Sequence, residues 1–109
     1  MALSVKNLFD GLPETGAAEE FRSLFASGAV RIERIVSRSY RSASGFWYDQ
    51  DDDEWVMVLR GGATLEFDSG ELVAMNEGDY LTIPRHAKHR VRETGPETIW
   101  LAVYLQANR

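Results

Sequence analysis

The sequence contains no cysteine, which excludes disulfide bonds, thiolate nucleophiles and zinc sites built from cysteine. No apolar run approaches the roughly 18 residues that a membrane-spanning helix needs. Glycine-rich nucleotide-binding loops and the GxSxG motif of serine hydrolases are missing as well. Histidine is scarce: the chain has two, His86 and His89, and they lie three positions apart. A metal site with three histidines therefore cannot be built within one chain.

Charge and composition narrow the possible partners. The chain has 17 acidic against 12 basic residues, a net charge of −5 that does not suit a protein binding nucleic-acid backbones. The N-terminus lacks a charged region followed by a long apolar one, so we expect no signal peptide, no membrane partner and a cytoplasmic location. With 44% apolar residues in 109, we expect one globular domain over residues 1–109.

A short amphipathic helix is predicted for residues 17–27. The apolar positions that follow the helical spacing i, i+4, i+7, i+8 are Ala17, Phe21, Leu24 and Phe25. Glu19 and Glu20 suit the N-terminal end of such a helix, and Gly28 would end it. Residues 1–28 would then form an N-terminal arm followed by this helix.

From about residue 29 to 105 the period of the apolar residues changes to two. Val30 and Ile32 alternate with charged residues; arginines in the same stretch also have helical spacing, but the β-branched content favours a strand. Further strands are expected at 55–59, 63–67, 71–75, 80–83 and 98–105. Turn signals at intervals of 8 to 12 residues separate them. The pattern predicts an all-β sandwich or barrel, and a jelly roll fits it.

Two segments have the spacing of known motifs. Gly78, Pro84 and His89 fit one of them, and Glu54 is separated from Gly61 by six residues as in the other. Together they resemble the paired motifs of the cupin superfamily, whose fold is a double-stranded β-helix or jelly-roll barrel. This sequence has His86 where the family often has Gly. The two histidines of the first motif are absent, and Trp47 with Asp49, or Tyr48 with Gln50, take their places.

The resemblance implies a divalent transition metal in the mouth of the barrel. Its candidate ligands here are His89, Glu54, His86, Asp49 and Gln50, which suit iron(II), manganese, nickel or zinc. Glu54 shares a strand face with Val56 and Val58, and a carboxylate there is costly to bury unless it meets a metal, a cation or hydrogen-bond donors. The alternatives are a solvent-exposed strand start for Glu54 and a metal-free, hydrogen-bonded His89.

Three further residues are candidate substrate contacts. Trp47 and Tyr48 belong to an aromatic run that could line a pocket, although such rings also fill cores. Arg34 could clamp a carboxylate or phosphate if its strand face points inward, and otherwise it is an exposed arginine near a strand end.

The resemblance implies a small-molecule-binding cupin, with a small organic molecule as its partner. One hypothesis is a metal-dependent enzyme of the dioxygenase or isomerase type; the other is a metal-free ligand-binding or sensor module, and a purely structural subunit is a third. A homodimer is expected, because a small sandwich rich in aromatics has apolar area to cover and an N-terminal segment that could add to another subunit's sheet.

Overall fold

The computed structural model describes residues 2–14 and 19–106, and every regular element in these residues is a β-strand. The strands are β1 (Glu19–Ser27), β2 (Val30–Ser37), β3 (Asp53–Arg60), β4 (Gly62–Phe67), β5 (Leu72–Asn76), β6 (Tyr80–Ile83), β7 (His89–Thr94) and β8 (Thr98–Leu105). Within the same residues there is no helix of the length and apolarity needed to cross a membrane.

Two antiparallel sheets pack face to face. The larger has five strands in the order β1-β2-β8-β3-β6, and the smaller has three in the order β5-β4-β7. Residues that point into the space between the sheets form the apolar core, which includes Ile35, Val56, Val58, Leu65, Met75 and Trp100. The prediction of an all-β fold of the jelly-roll kind is confirmed.

Most predicted strands are present with small shifts of their ends. The segment whose spacing was ambiguous is strand β2, and the pattern of Glu54, Val56 and Val58 on one buried face of β3 is confirmed. Strand β7 was missed, because four of its six residues are charged or histidine and only Val91 is an apolar strand former. That omission matters, since β7 begins at His89.

The predicted helix over residues 17–27 is wrong: from residue 19 onward this segment is strand β1, while Ala17 lies outside the described residues. β1 pairs with β2, but the register shifts between Ser23 and Phe25. Phe21 pairs with Ile35, on the inner face, whereas Phe25 pairs with Ile32, on the outer face. A bulged residue changes the phase of a strand by one position. The apolar side chains therefore fall three to four residues apart, which imitates a helix.

The N-terminal arm is held to the outer face of the larger sheet by Arg34. This side chain is 1% exposed, and its guanidinium donates hydrogen bonds to the carbonyl oxygens of Leu8, Asp10 and Gly11. It also forms a 2.9 Å ion pair with the Glu20 carboxylate. Because Arg34 alternates with the inward-facing Ile35, it lies on the sheet face opposite the core.

Candidate functional site

A small cavity lies between the two sheets. It measures about 50 Å³ as the space open to the centres of water-sized molecules, enough for a few waters. Most of its wall is apolar, formed by Ile35, Val56, Leu65, Ile83, Val91 and Trp100. Polar groups converge at one end, where Gln50, Glu54 and His89 meet. Pockets of this kind, apolar with a few placed polar groups, are the usual form of ligand sites.

Backbone pairing brings His89 to the cavity. An isolated bridge joins Tyr48 to His89, with N–H to carbonyl distances of 2.7 Å from Tyr48 to His89 and 3.1 Å in the other direction. A turn closed by the hydrogen bond from Ala87 N to Pro84 O precedes β7. The loop before β3 and the turn before β7 are therefore held together at the cavity's polar end.

The imidazole of His89 is fixed in orientation and in tautomer. Its Nδ1 lies 2.9 Å from the carbonyl oxygen of Ala87, which can only accept, so Nδ1 carries a proton. The ring is flanked by Tyr48 and Phe67, with ring centroids 5.4 and 5.8 Å away. Burial lowers the pKa of His89, and the carbonyl of Ala87 opposes this in part. In the neutral ring Nε2 is then a bare acceptor, 3.8 Å from Oε1 of Glu54.

Glu54 is a buried carboxyl, 6% exposed, on the inner face of β3. Burial raises the pKa of Glu54 to about 7, while the Gln50 amide, which donates to Oε1 at 3.3 Å, acts in the opposite direction. The same apolar surroundings thus raise the pKa of Glu54 and lower the pKa of His89. A proton can be shared between two such groups, or passed to a molecule between them.

A second carboxyl, that of the partly buried Glu19, was not predicted as a site residue. It accepts hydrogen bonds from the Tyr48 hydroxyl at 3.1 Å and from Ser37 Oγ at 3.0 Å, and Trp100 Nε1 donates to the same Ser37 Oγ at 3.1 Å. Burial raises the pKa of Glu19, while its hydrogen bonds with Ser37 and Tyr48 lower it. Burial also raises the pKa of Tyr48, with the charge of Glu19 adding to the effect. The sequence had no signal for this network, because it depends on how β1 pairs.

The predicted ligand set separates into two groups. His89, Glu54 and Gln50 meet in the cavity, whereas the His86 and Asp49 side chains form an exposed pair, with Nδ1 and Oδ1 2.8 Å apart. His86 adopts a φ of +64°, the left-handed conformation that favours glycine. In that conformation its imidazole lies against Asp49, with Asp51 3.5 Å away.

Of the three predicted substrate contacts, one lies in the cavity wall and two lie elsewhere. Tyr48 lines the cavity. Trp47 and Arg34 do not: the Trp47 ring lies 5.5 Å from the guanidinium of Arg90, and Arg34 holds the N-terminal arm. Roles for Trp47 and Arg34 in binding substrate stay predictions.

The donor set fits a firmly held metal ion poorly. His89, Glu54 and Gln50 offer one imidazole nitrogen, one carboxylate and one amide, while catalytic zinc sites supply three stronger ligands. Among residues 2–14 and 19–106, no group of three His, Asp or Glu side chains is arranged to hold a metal. The predicted transition metal therefore stays a prediction.

Comparison with known proteins identifies the family. Residues 42–104, more than half of the chain, match the family described as Cupin domain, so the chain belongs to the cupins. Among solved structures, one named "putative mannose-6-phosphate isomerase" from Ralstonia eutropha JMP134 has a TM-score of 0.89 and 40% identity. The match covers 96% of this chain and 100% of that one.

More distant matches add less. A cupin superfamily protein from Desulfitobacterium hafniense DCB-2 has a TM-score of 0.75 at 18% identity. The match covers 88% of this chain and 84% of that protein's chain, and it supports the fold alone. Non-structural polyprotein 1A of Human astrovirus-1 is 30% identical over an alignment of 82 residues that covers 67% of this chain. The chain spans 8% of that polyprotein's length, so the match carries no activity with it.

Proposed function

We propose that this cupin binds a small organic molecule at the polar end of its cavity. One observation carries the proposal: Nε2 of His89, a residue of the cavity wall, has no hydrogen-bond partner among the described side chains. Its nearest polar neighbour is Oε1 of Glu54, at 3.8 Å, too far for a hydrogen bond. A polar atom that faces such a cavity normally bonds to water or to a ligand. A ligand that lies between His89 and Glu54 would satisfy both.

The chemistry available at this site is proton transfer. His89 as a neutral base and Glu54 as a carboxyl that is protonated near neutral pH are suited to take a proton from a bound molecule and return it elsewhere. The 40% identical relative is named as a putative isomerase, and isomerisation by proton transfer needs no other reactant. We therefore propose an isomerase-type reaction.

A non-catalytic ligand-binding module is the second candidate. The small volume of the cavity favours it, since a substrate that must turn over needs room to react and to leave. Incorporation of solvent deuterium into a bound ligand separates the candidates. The enzyme exchanges a carbon-bound hydrogen and the module does not.

The binding proposal is tested with three variants. We expect His89→Ala and Glu54→Gln to abolish binding of a ligand found by screening small organic molecules against the protein. His86→Ala removes the other histidine, which is exposed, and should leave binding unchanged. Thermal unfolding of each variant shows whether it is folded. If His89→Ala does not fold, Glu54→Gln still tests the proposal. Binding that survives both cavity substitutions would overturn the proposal.

The predicted metal-dependent enzyme requires a separate measurement. Inductively coupled plasma mass spectrometry would be applied to protein purified without chelator or a histidine tag. We expect well under one metal ion per chain. Iron, manganese, nickel or zinc approaching one per chain, lost in His89→Ala and kept in His86→Ala, would instead support the mixed His-carboxylate metal site.

A further inference from the structure

We propose that the cavity selects an uncharged or cationic molecule that donates hydrogen bonds, an amine or a polyol, over phosphates and carboxylates. This inference rests on the proposed function and names the ligand class of the same site. Three features of the cavity support it: the charges around it, the pairing of the hydrogen-bonding groups in its wall, and its size.

Within the described part of the chain, no lysine or arginine lines the cavity. Arginines on the surrounding strands have partners of their own. Arg34 holds the N-terminal arm and Glu20, and Arg90 pairs with Glu66 in the smaller sheet. Arg31 lies outside the cavity, over the ring of Tyr104 at 4.1 Å, and pairs with Glu33 and Asp52. A phosphate or carboxylate in the cavity would thus be buried without a cation, which is costly.

Acidic groups, in contrast, surround the cavity. Glu54 is in its wall, and Glu19 lies behind Tyr48, at 3.1 Å from the Tyr48 hydroxyl. Two groups that could have donated to an anion are already paired: the Tyr48 hydroxyl donates to Glu19, and the indole N–H of Trp100 donates to Ser37. Like charges brought together in an apolar site cost more than they do in water. An anionic ligand would therefore be repelled once Glu54 is ionised, above about pH 7.

The polar atoms at the cavity's polar end that are still available favour a ligand that donates hydrogen bonds. Nε2 of His89 is an acceptor in the neutral ring, and Glu54, when ionised, accepts at both oxygens, one of which already accepts from the Gln50 amide. The amide of Gln50 and the hydroxyl of Tyr104 are neutral donors, which can bond a hydroxyl but cannot neutralise an anion. A hydroxyl or amine placed between His89 and Glu54 donates to either one.

Size and access restrict the ligand further. A volume of about 50 Å³ admits a molecule of only a few non-hydrogen atoms unless the wall moves. Phe21 is the most exposed residue of the lining, at 49%, and it lies on the edge strand β1. We therefore expect a ligand to enter past Phe21, whose displacement would also enlarge the cavity.

A matched pair of probes tests the charge selection. Propane-1,2-diol and lactate share a three-carbon skeleton and one hydroxyl, and differ in having an alcohol or a carboxylate at the end. The probes are titrated into protein labelled in its histidine rings, and the ring signals of His89 and His86 are followed by nuclear magnetic resonance. We expect the diol to shift His89 and leave His86 in place, and lactate to bind at least roughly tenfold more weakly.

Glu54→Gln should reduce the preference for the diol, because it removes the carboxylate. Glu71→Gln makes the same change of charge at an exposed position in the hairpin turn and should keep the preference. Lactate binding as tightly as the diol, or mannose 6-phosphate binding more tightly than mannose, would overturn the inference while the proposed function stands. A His89 signal that responds to no probe of either charge would overturn the proposed function, and the inference with it.

Discussion

Replacing Glu54 by Gln should stabilise the protein above neutral pH while removing a site residue. Burial raises the pKa of Glu54 from 4.5 to about 7. Below pH 4.5 the carboxyl is protonated in both the folded and the unfolded chain, so burial carries no penalty of ionisation. As pH rises through 7, the unfolded chain has already released this proton while the folded protein gives it up only at a cost. The protein therefore loses stability as pH rises from about 4.5 to about 7, and this group causes no further loss above that range.

The size of the effect follows from the same pKa. At 1.36 kcal/mol for each pH unit, a pKa raised from 4.5 to about 7 corresponds to about 3 kcal/mol. Glutamine has nearly the same shape and no ionisation, and its amide oxygen can still accept from Gln50. We expect the difference in unfolding free energy between Glu54→Gln and the parent to grow by about 3 kcal/mol between about pH 4 and pH 8.5.

Urea unfolding followed by tryptophan fluorescence at several pH values measures this difference. Glu71→Gln is the matched control, since it removes an exposed carboxylate and should give a difference that does not depend on pH. The lowered pKa of His89 acts in the opposite direction, but it is present in all three proteins. A difference that stays constant with pH, or a parent protein more stable than Glu54→Gln at pH 8.5, would refute the reasoning.

Three further predictions concern the surroundings of the site. Tyr48→Phe leaves Glu19 without one of its two donors and should cost about 2 kcal/mol of unfolding free energy in urea, whereas Tyr80→Phe at an exposed position should cost little. Arg34→Met frees the N-terminal arm, so hydrogen exchange at residues 6–11 should speed up at least roughly tenfold; unchanged exchange would show that other contacts hold the arm. Because Phe21 and Phe25 are half-exposed on the edge strand β1, we expect a homodimer by light scattering, and a monomer of 12.3 kDa at micromolar concentration would contradict this.

The sequence predicts the parts of this structure that are set by local pattern. Alternation of Glu54, Val56 and Val58 predicted the carboxyl on an inward face, because a strand has a period of two. The resemblance of Gly78, Pro84 and His89 to a cupin motif implied a histidine at the mouth of the barrel, and His89 lines the cavity. Neither requires knowing which strands are neighbours.

What could not be predicted depends on contacts between distant segments. Glu19 meets Tyr48, 29 positions away, only because β1 pairs with β2 at the sheet edge. The bulge at Leu24 gave this strand the spacing of a helix. His86 is close to His89 in sequence, but its backbone has a positive φ and its side chain pairs with Asp49 instead. Spacing alone cannot distinguish a turn that points both histidines inward from one that separates them.

The most direct test of the central claim is a crystal structure at neutral pH, examined at Nε2 of His89. We predict density for water or a small molecule that bridges Nε2 and the Glu54 carboxyl, with those two groups too far apart to bond each other. A direct hydrogen bond between them, shorter than about 3.2 Å and with nothing else in the cavity, would contradict a binding site here.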